Sequence, residues 1–216
     1  MDLEGDSAAP QAAQTASRRR RWIKPLALTV AAAVAAAGWW GYSARRQKRA
    51  AEAVLALDGM VGYADELPFQ GPSPAARWLR EMLGHDYTSS VALVKLGGKA
   101  VRDEDLTCLK GLPGLQALWL HDTAIGDSGV KALSGNSALE ELSLRTTRVT
   151  DAGLADLAGL RRLEFLYLQD NDISDAGLVH LEGLTALKLL KLDGTRVTSQ
   201  GIEKLQRALP RTRISP

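Results

Sequence analysis

The feature that most constrains this chain is a period of 24 residues that begins at Val91. Val91, Leu115, Leu139, Leu163 and Leu187 open successive units. The fourth position of each unit holds Val94, Leu118, Leu142, Leu166 and Leu190, and the sixth holds Leu96, Leu120, Leu144, Leu168 and Leu192. The eleventh holds Val101, Ile125, Val149, Ile173 and Val197. The sixteenth holds Leu106, Val130, Leu154, Leu178 and Ile202, and the nineteenth Leu109, Leu133, Leu157, Leu181 and Leu205. In a chain that is 45% hydrophobic, thirty aliphatic residues at thirty fixed places have a chance probability of about 10⁻¹⁰. A unit this short cannot bury its own apolar face, so neighbours must stack and share one continuous core.

Within each unit the third to eighth positions alternate, as a strand half-buried on one side does. A second apolar run follows, preceded by Asp103, Asp127, Asp151, Asp175 or Ser199. The row reads as helix N-caps, side-chain oxygens accepting from free backbone N–H groups, and not as catalytic carboxylates. One strand and one helical segment per unit predict an α/β solenoid of five repeats over 91–216. Ile214 falls at the fourth position of a truncated sixth strand.

These repeats resemble the leucine-rich-repeat family, whose pattern is L-x-x-L-x-L-x-x-N followed by a returning segment. The resemblance covers residues 91–216 and implies a horseshoe segment with a concave strand face. The ninth position, usually Asn, is here Lys99, Thr123, Thr147, Asn171 and Thr195. A Thr hydroxyl also bonds backbone but reaches less far than the Asn amide. The returning segment reads Thr150-Asp151-Ala152-Gly153-Leu154. Together with the basic Arg18 to Arg21, the uncharged run Pro25 to Tyr42, the charged stretch Ala44 to Ala50 and Trp78-Leu79-Arg80 before the first strand, it resembles a class of bacterial single-pass proteins with T-D-A-G-L repeats, which implies an interaction role without a known partner. Similar repeats occur in F-box proteins, but no F-box-like helical domain is evident, so a ubiquitin role does not carry over.

The first fifty residues are different in kind. They carry nine Lys/Arg against three Asp/Glu, a net of +6, whereas residues 51–216 carry a net of −4. The repeats therefore have no electrostatic footprint for nucleic acid. Residues 1–21 read as a disordered tail ending in Arg18, Arg19, Arg20 and Arg21. Pro25 to Tyr42 is free of charge, with Trp22 at one edge and Trp39, Trp40 and Tyr42 at the other. Eighteen helical residues would span roughly 27 Å, and aromatic rings at both edges suit the two bilayer interfaces. The expectation is a transmembrane helix over 22–42 anchoring the chain in a membrane. Five basic residues precede it and four follow, which favours only slightly a cytoplasmic N-terminus and extracytoplasmic repeats. The competing reading is a soluble exported protein. Arg19-Arg20-Arg21-Trp22-Ile23-Lys24 resembles a twin-arginine signal, and Ala35-Ala36-Ala37 or Tyr42-Ser43-Ala44 offers cleavage sites.

Residues 43–90 read as an adapter. Ser43 to Leu57 predicts a juxtamembrane helix with Ala50, Val54 and Leu57 on one face, and Val61 and Tyr63 a short strand. A proline-rich loop over 66–74 then leads to a helix over 75–83 containing Trp78, Leu79 and Met82, expected to cap the first repeat.

The candidate functional surface is the concave strand face. The site residues are Trp119, His121, Glu141, Arg145, Phe165, Tyr167, Gln169 and Asp193, which occupy the third, fifth and seventh repeat positions. Aromatic rings around the small Ser143, beside an Arg, have the composition of a binding hot spot. They imply a partner protein or a surface polysaccharide. The alternative is a structural spacer without a specific ligand. An enzyme is not expected. There is no phosphate-cradling Gly loop and no nucleophile elbow. The single Cys108 and the scattered His85, His121 and His180 make no metal site, and no cofactor is implied.

Overall fold

The computed structural model describes residues 41–64 and 90–216. Residues 44–216 form one compact unit; of residues 1–43, only 41–43 are described, and they are helical. The expected transmembrane helix over 22–42 therefore lies, apart from 41 and 42, outside the described residues. Among the described residues no helix is long and apolar enough to cross a membrane. The expected helix over 75–83 also lies outside them.

Seven strands form one sheet in chain order: β1 (Met60–Tyr63), β2 (Val91–Lys95), β3 (Ala117–Trp119), β4 (Glu141–Ser143), β5 (Phe165–Tyr167), β6 (Leu189–Lys191) and β7 (Arg213–Ser215). From β2 onward every pair is parallel and advances by one repeat, Leu118 opposite Leu142 and Leu142 opposite Leu166. Only β1 is antiparallel, Val61 facing Val94. Each of β2 to β6 is followed by a helical segment on the opposite side: a 3₁₀ turn at Asp103–Leu109, then α-helices at Asp127–Leu133, Asp151–Leu157, Asp175–Leu178 and Ser199–Ala208.

The thirty periodic aliphatic positions form the core. Twenty-eight are buried; Val197 and Ile202, in the fifth repeat, are partly exposed. The first repeat is covered by the helix at 44–56, whose Ala50, Ala51 and Val54 join the same apolar cluster as Val91, Val94 and Leu96. Gln47 Oε1 accepts the N–H of Val91 at 2.7 Å, and Arg46 donates to the carbonyl of Lys110. Within the described residues, 44–56 thus covers this end of the core.

The Asp row requires a correction. The N-caps are one residue earlier, at Gly126, Thr150, Ser174 and Thr198, and Thr150, Ser174 and Thr198 accept helix N–H groups through their hydroxyls. Each Asp is the first helical residue, and its carboxylate reaches forward to the next repeat. Asp127 accepts from the N–H and the hydroxyl of Thr150, both at 2.8 Å. Asp175 does the same to Thr198 at 2.8 and 2.6 Å. Asp103 accepts only the N–H of Gly126, which has no hydroxyl to give. The Gly at the third helical position of repeats two to five (Gly129, Gly153, Gly177 and Gly201) makes room for the previous repeat's carboxylate. A Cβ on Gly153 would collide with Asp127 Oδ1, and one on Gly201 with Asp175 Oδ1. The T-D-A-G-L string is therefore an inter-repeat joint: Thr receives the previous carboxylate, Asp extends the next, and Gly clears the path.

Two buried Asn residues make further joints. Asn171 is buried, donating to the carbonyls of Leu144, Leu168 and Gln169 and accepting from Thr147. Thr123, Thr147 and Thr195 bond the carbonyl three residues back in their own repeat at 2.6–2.8 Å. Asn136 stands where other repeats place Leu112, Leu160 and Leu184, and is wholly buried. It accepts the N–H of Gly111 at 2.6 Å and donates to the carbonyl of Leu109 at 3.0 Å.

Candidate interaction surface

The alternation of each strand decides what faces outward. Leu118, Leu142, Leu166 and Leu190 point into the core, so their neighbours on both sides point out. One outer row is Leu93, Ala117, Glu141, Phe165, Leu189 and Arg213; the next is Lys95, Trp119, Ser143, Tyr167, Lys191 and Ser215. The third, after the strands end, contains His121, Arg145, Gln169 and Asp193. At the eighth position every repeat turns through a left-handed residue: Gly98, Asp122, Thr146, Asp170 and Gly194 have φ of 70, 57, 52, 57 and 73°. This turn redirects the chain from the sheet toward the helical side.

The aromatic residues are not bare. Trp119, Phe165 and Tyr167 are each partly buried. Trp119 Nε1 donates to Glu141 Oε1 at 3.0 Å, and Lys95 Nζ lies 4.1 Å from the centre of the Trp119 ring. The first contact crosses from β3 to β4, the second from β2 to β3. Phe165 has Lys188 Nζ at 6.0 Å from its ring centre, and Lys188 pairs with Glu164 at 2.6 Å. Burial raises the pKa of the Tyr167 hydroxyl, and the charge of Glu141 raises it further.

A second group gathers at the strand ends. Asp122 Oδ2 lies 2.9 Å from His121 Nδ1 and 3.1 Å from an Arg145 guanidinium nitrogen. The His121 and Arg145 hydrogen bonds hold the Asp122 carboxyl below the usual carboxylate range. The His121 ring lies over Gly97, where a Cβ would displace it. Neighbouring Gln169 has a buried Oε1 without a hydrogen-bond partner among the described residues.

The sheet thus brings Trp119, Glu141, Phe165 and Tyr167 onto three adjacent strands, with His121 and Arg145 at their ends. Asp193, after β6, stands apart, about three strand spacings, roughly 14 Å, from the β3 column. Sequence reasoning missed Lys95 as a partner of Trp119, although both occupy the fifth position of adjacent repeats. Among the described residues no group of His, Cys, Asp and Glu could hold a metal ion.

A family model described as "Leucine Rich repeat" matches residues 160–181. No curated protein matches the chain. Among solved structures the chain is similar to an internalin from Listeria monocytogenes, at 22% identity and a TM-score of 0.51, over 65% of this chain and 36% of that one. It is also similar to a leucine-rich-repeat protein from Leptospira interrogans, at 24% identity and a TM-score of 0.42, over 51% of this chain and 27% of that one. The chain therefore spans only about a third of the length of these proteins. The 24-residue period, the parallel ladder that advances one repeat per strand, and the likeness to the internalin agree: the repeats have the leucine-rich-repeat fold, and residues 160–181 match the family's own model.

Proposed function

We propose that this protein is a membrane-anchored, non-enzymatic interaction module that binds a partner protein on its strand face. The observation that carries the reading is the concentration of aromatic residues there. In a chain with 5% aromatics, Trp119, Phe165 and Tyr167 lie on adjacent or next-but-one strands of a single face, beside Glu141 and Arg145. Large rings with a polar edge supply binding energy at little conformational cost. The helical side offers instead the exposed Lys131, Ala155 and Lys204. The anchor is residues 22–42, supported by their length, lack of charge and aromatic edges, and the repeats lie on the extracytoplasmic side.

The test is a crosslinking pull-down from native membranes. Trp119→Ala and Tyr167→Ala should each lose the partner, because loss of one anchor costs on the order of 30-fold in affinity. Asp156→Ala and Lys204→Ala, on the helical side, should retain it. Loss in the helical-side variants with retention in the aromatic ones would place the interface on the other face.

A further inference from the structure

We infer that the hollow above Ser143 is a receptor for one basic side chain, Lys or Arg, of the protein partner. The inference rests on the strand-face reading above and specifies its chemistry. Ser143 lies on β4 between Trp119 on β3 and Tyr167 on β5, in one row. Two strand spacings set the Cα atoms of these aromatic residues about 10 Å apart, and the small Ser143 between them leaves the row open there for one aliphatic stem. The small Ser143 forms the floor. Glu141, on the same strand and the same outer face, stands at one end.

The charges around the hollow favour a cation. Asp122 faces His121 and Arg145, Glu140 faces Arg162 at 2.7 Å, and Glu164 faces Lys188 at 2.6 Å. Glu141, partly buried, has no ion pair among the described residues. One of its oxygens accepts from Trp119, which fixes the carboxylate against the ring, and the other is left for a ligand. A half-buried carboxylate without a counter-ion gains more from an incoming cation than a solvated one does. The ring of Trp119 already accepts a cation from the β2 side, where Lys95 lies 4.1 Å from its centre. Its β4 side, with Tyr167 opposite, offers the same quadrupole to a guest. Arg145, the nearest cation along β4, is engaged by Asp122. A basic stem between two rings with its head on Glu141 satisfies each of these groups; an acidic or neutral side chain would leave Glu141 unpaired.

The full-length protein in nonionic detergent, with ¹⁵N-labelled tryptophan, tests this. n-Butylguanidinium and n-butylammonium chloride serve as probes, with n-butanol and sodium butyrate as controls at constant ionic strength. The indole N–H resonance of Trp119, assigned by Trp119→Phe, should shift saturably with both cations and not with the controls. Glu141→Gln, which keeps an acceptor for the indole, should weaken the cations by about tenfold or more. Ser143→Leu, which keeps the charge but fills the hollow, should abolish the shift. Circular dichroism checks that both variants are folded, and should either unfold, the other decides. No shift with the cations, an equal shift with butanol, or undiminished binding in Glu141→Gln and Ser143→Leu would overturn the inference. A partner that still crosslinks at the strand face in those cases would leave the interaction reading standing without the basic guest.

Discussion

Asp151 holds Ser174 of the following repeat with both carboxylate oxygens: Oδ1 accepts the Ser174 N–H at 2.8 Å and Oδ2 its hydroxyl at 2.6 Å. The same carboxylate occupies the space that a side chain on Gly177 would need. Asp151→Ala should therefore cost about 2–3 kcal/mol, as loss of charge-assisted hydrogen bonds does. Gly177→Ala should also destabilise, by displacing the carboxylate. In the Asp151→Ala background the cost of Gly177→Ala should shrink, because its obstacle is gone. Urea titrations of the four proteins measure the coupling; strictly additive costs would deny the joint.

The joint also sets an acid limit. The side-chain and backbone hydrogen bonds from Thr198 lower the pKa of Asp175. A carboxyl whose pKa is lower in the folded state contributes stability that is present above its unfolded value of about 3.9 and is lost as pH falls through the folded value. The urea midpoint should therefore drop as pH falls below about 4, with a shallower slope in Asp175→Asn. An unchanged slope in that variant would remove Asp175 from the account.

Backbone conformation gives a third prediction. Thr146 has a φ of 52° at the position where the first and fifth repeats use Gly98 and Gly194. A β-branched residue is strained there, whereas Asn tolerates the left-handed region. Thr146→Asn should raise stability by about 0.5–1 kcal/mol. Gly194→Ala should lower it by about 1 kcal/mol, since its Cβ would meet Asp170 Oδ1. Thermal melts of both variants check the pair of signs.

Core and surface should separate sharply. Leu142 is wholly buried and Leu142→Ala should cost roughly 2–5 kcal/mol. Asn136→Ala should cost about 2–3 kcal/mol despite removing a polar group, because the Gly111 N–H and Leu109 carbonyl lose their buried partner. Exposed Lys131→Ala should cost under about 0.5 kcal/mol. Equal tolerance at all three sites, measured by denaturant unfolding, would contradict the assignment of inner and outer positions.

The repeats were legible because burial selects one residue type at fixed positions, and a 24-residue period displays that selection five times. Which way Leu142 and Leu166 point followed from alternation alone. The partner of each Asp was not legible in this way, since periodicity marks a position without saying which repeat it touches. The clue lay in the Gly two places later, present in repeats two to five, and in Asp105 at that place in the first repeat, where no preceding Asp needs room. Asn136 was hidden by standing as the one polar residue in a column otherwise of Leu112, Leu160, Leu184 and Ala208. On the strand face, row membership was readable for Trp119 and Tyr167, but their partial burial was not. Around Trp119 lie side chains from adjacent strands, Lys95 and Glu141, whose rotamers no pattern specifies.

Orientation in the membrane needs a reactive site on the repeats. Cys108 is a poor one: it is partly buried, its Sγ lies 3.0 Å from the Asp105 carbonyl, and burial raises its pKa, which suppresses the reactive thiolate. Ser137→Cys in a Cys108→Ala background places a thiol at an exposed position. A membrane-impermeant maleimide should label it in intact cells whose outer barrier is permeable. Labelling only after lysis of the inner membrane would put the repeats in the cytoplasm.

The central claim is that the strand face, and not the helical face, meets the partner. A photocrosslinking amino acid placed at Lys191, beside Tyr167 on the strand face, and separately at the exposed Ala155 on the helical side, tests it in native membranes. The account predicts one discrete adduct from position 191, lost when Tyr167→Ala is added, and none from position 155. An adduct from position 155 with none from position 191 would contradict it.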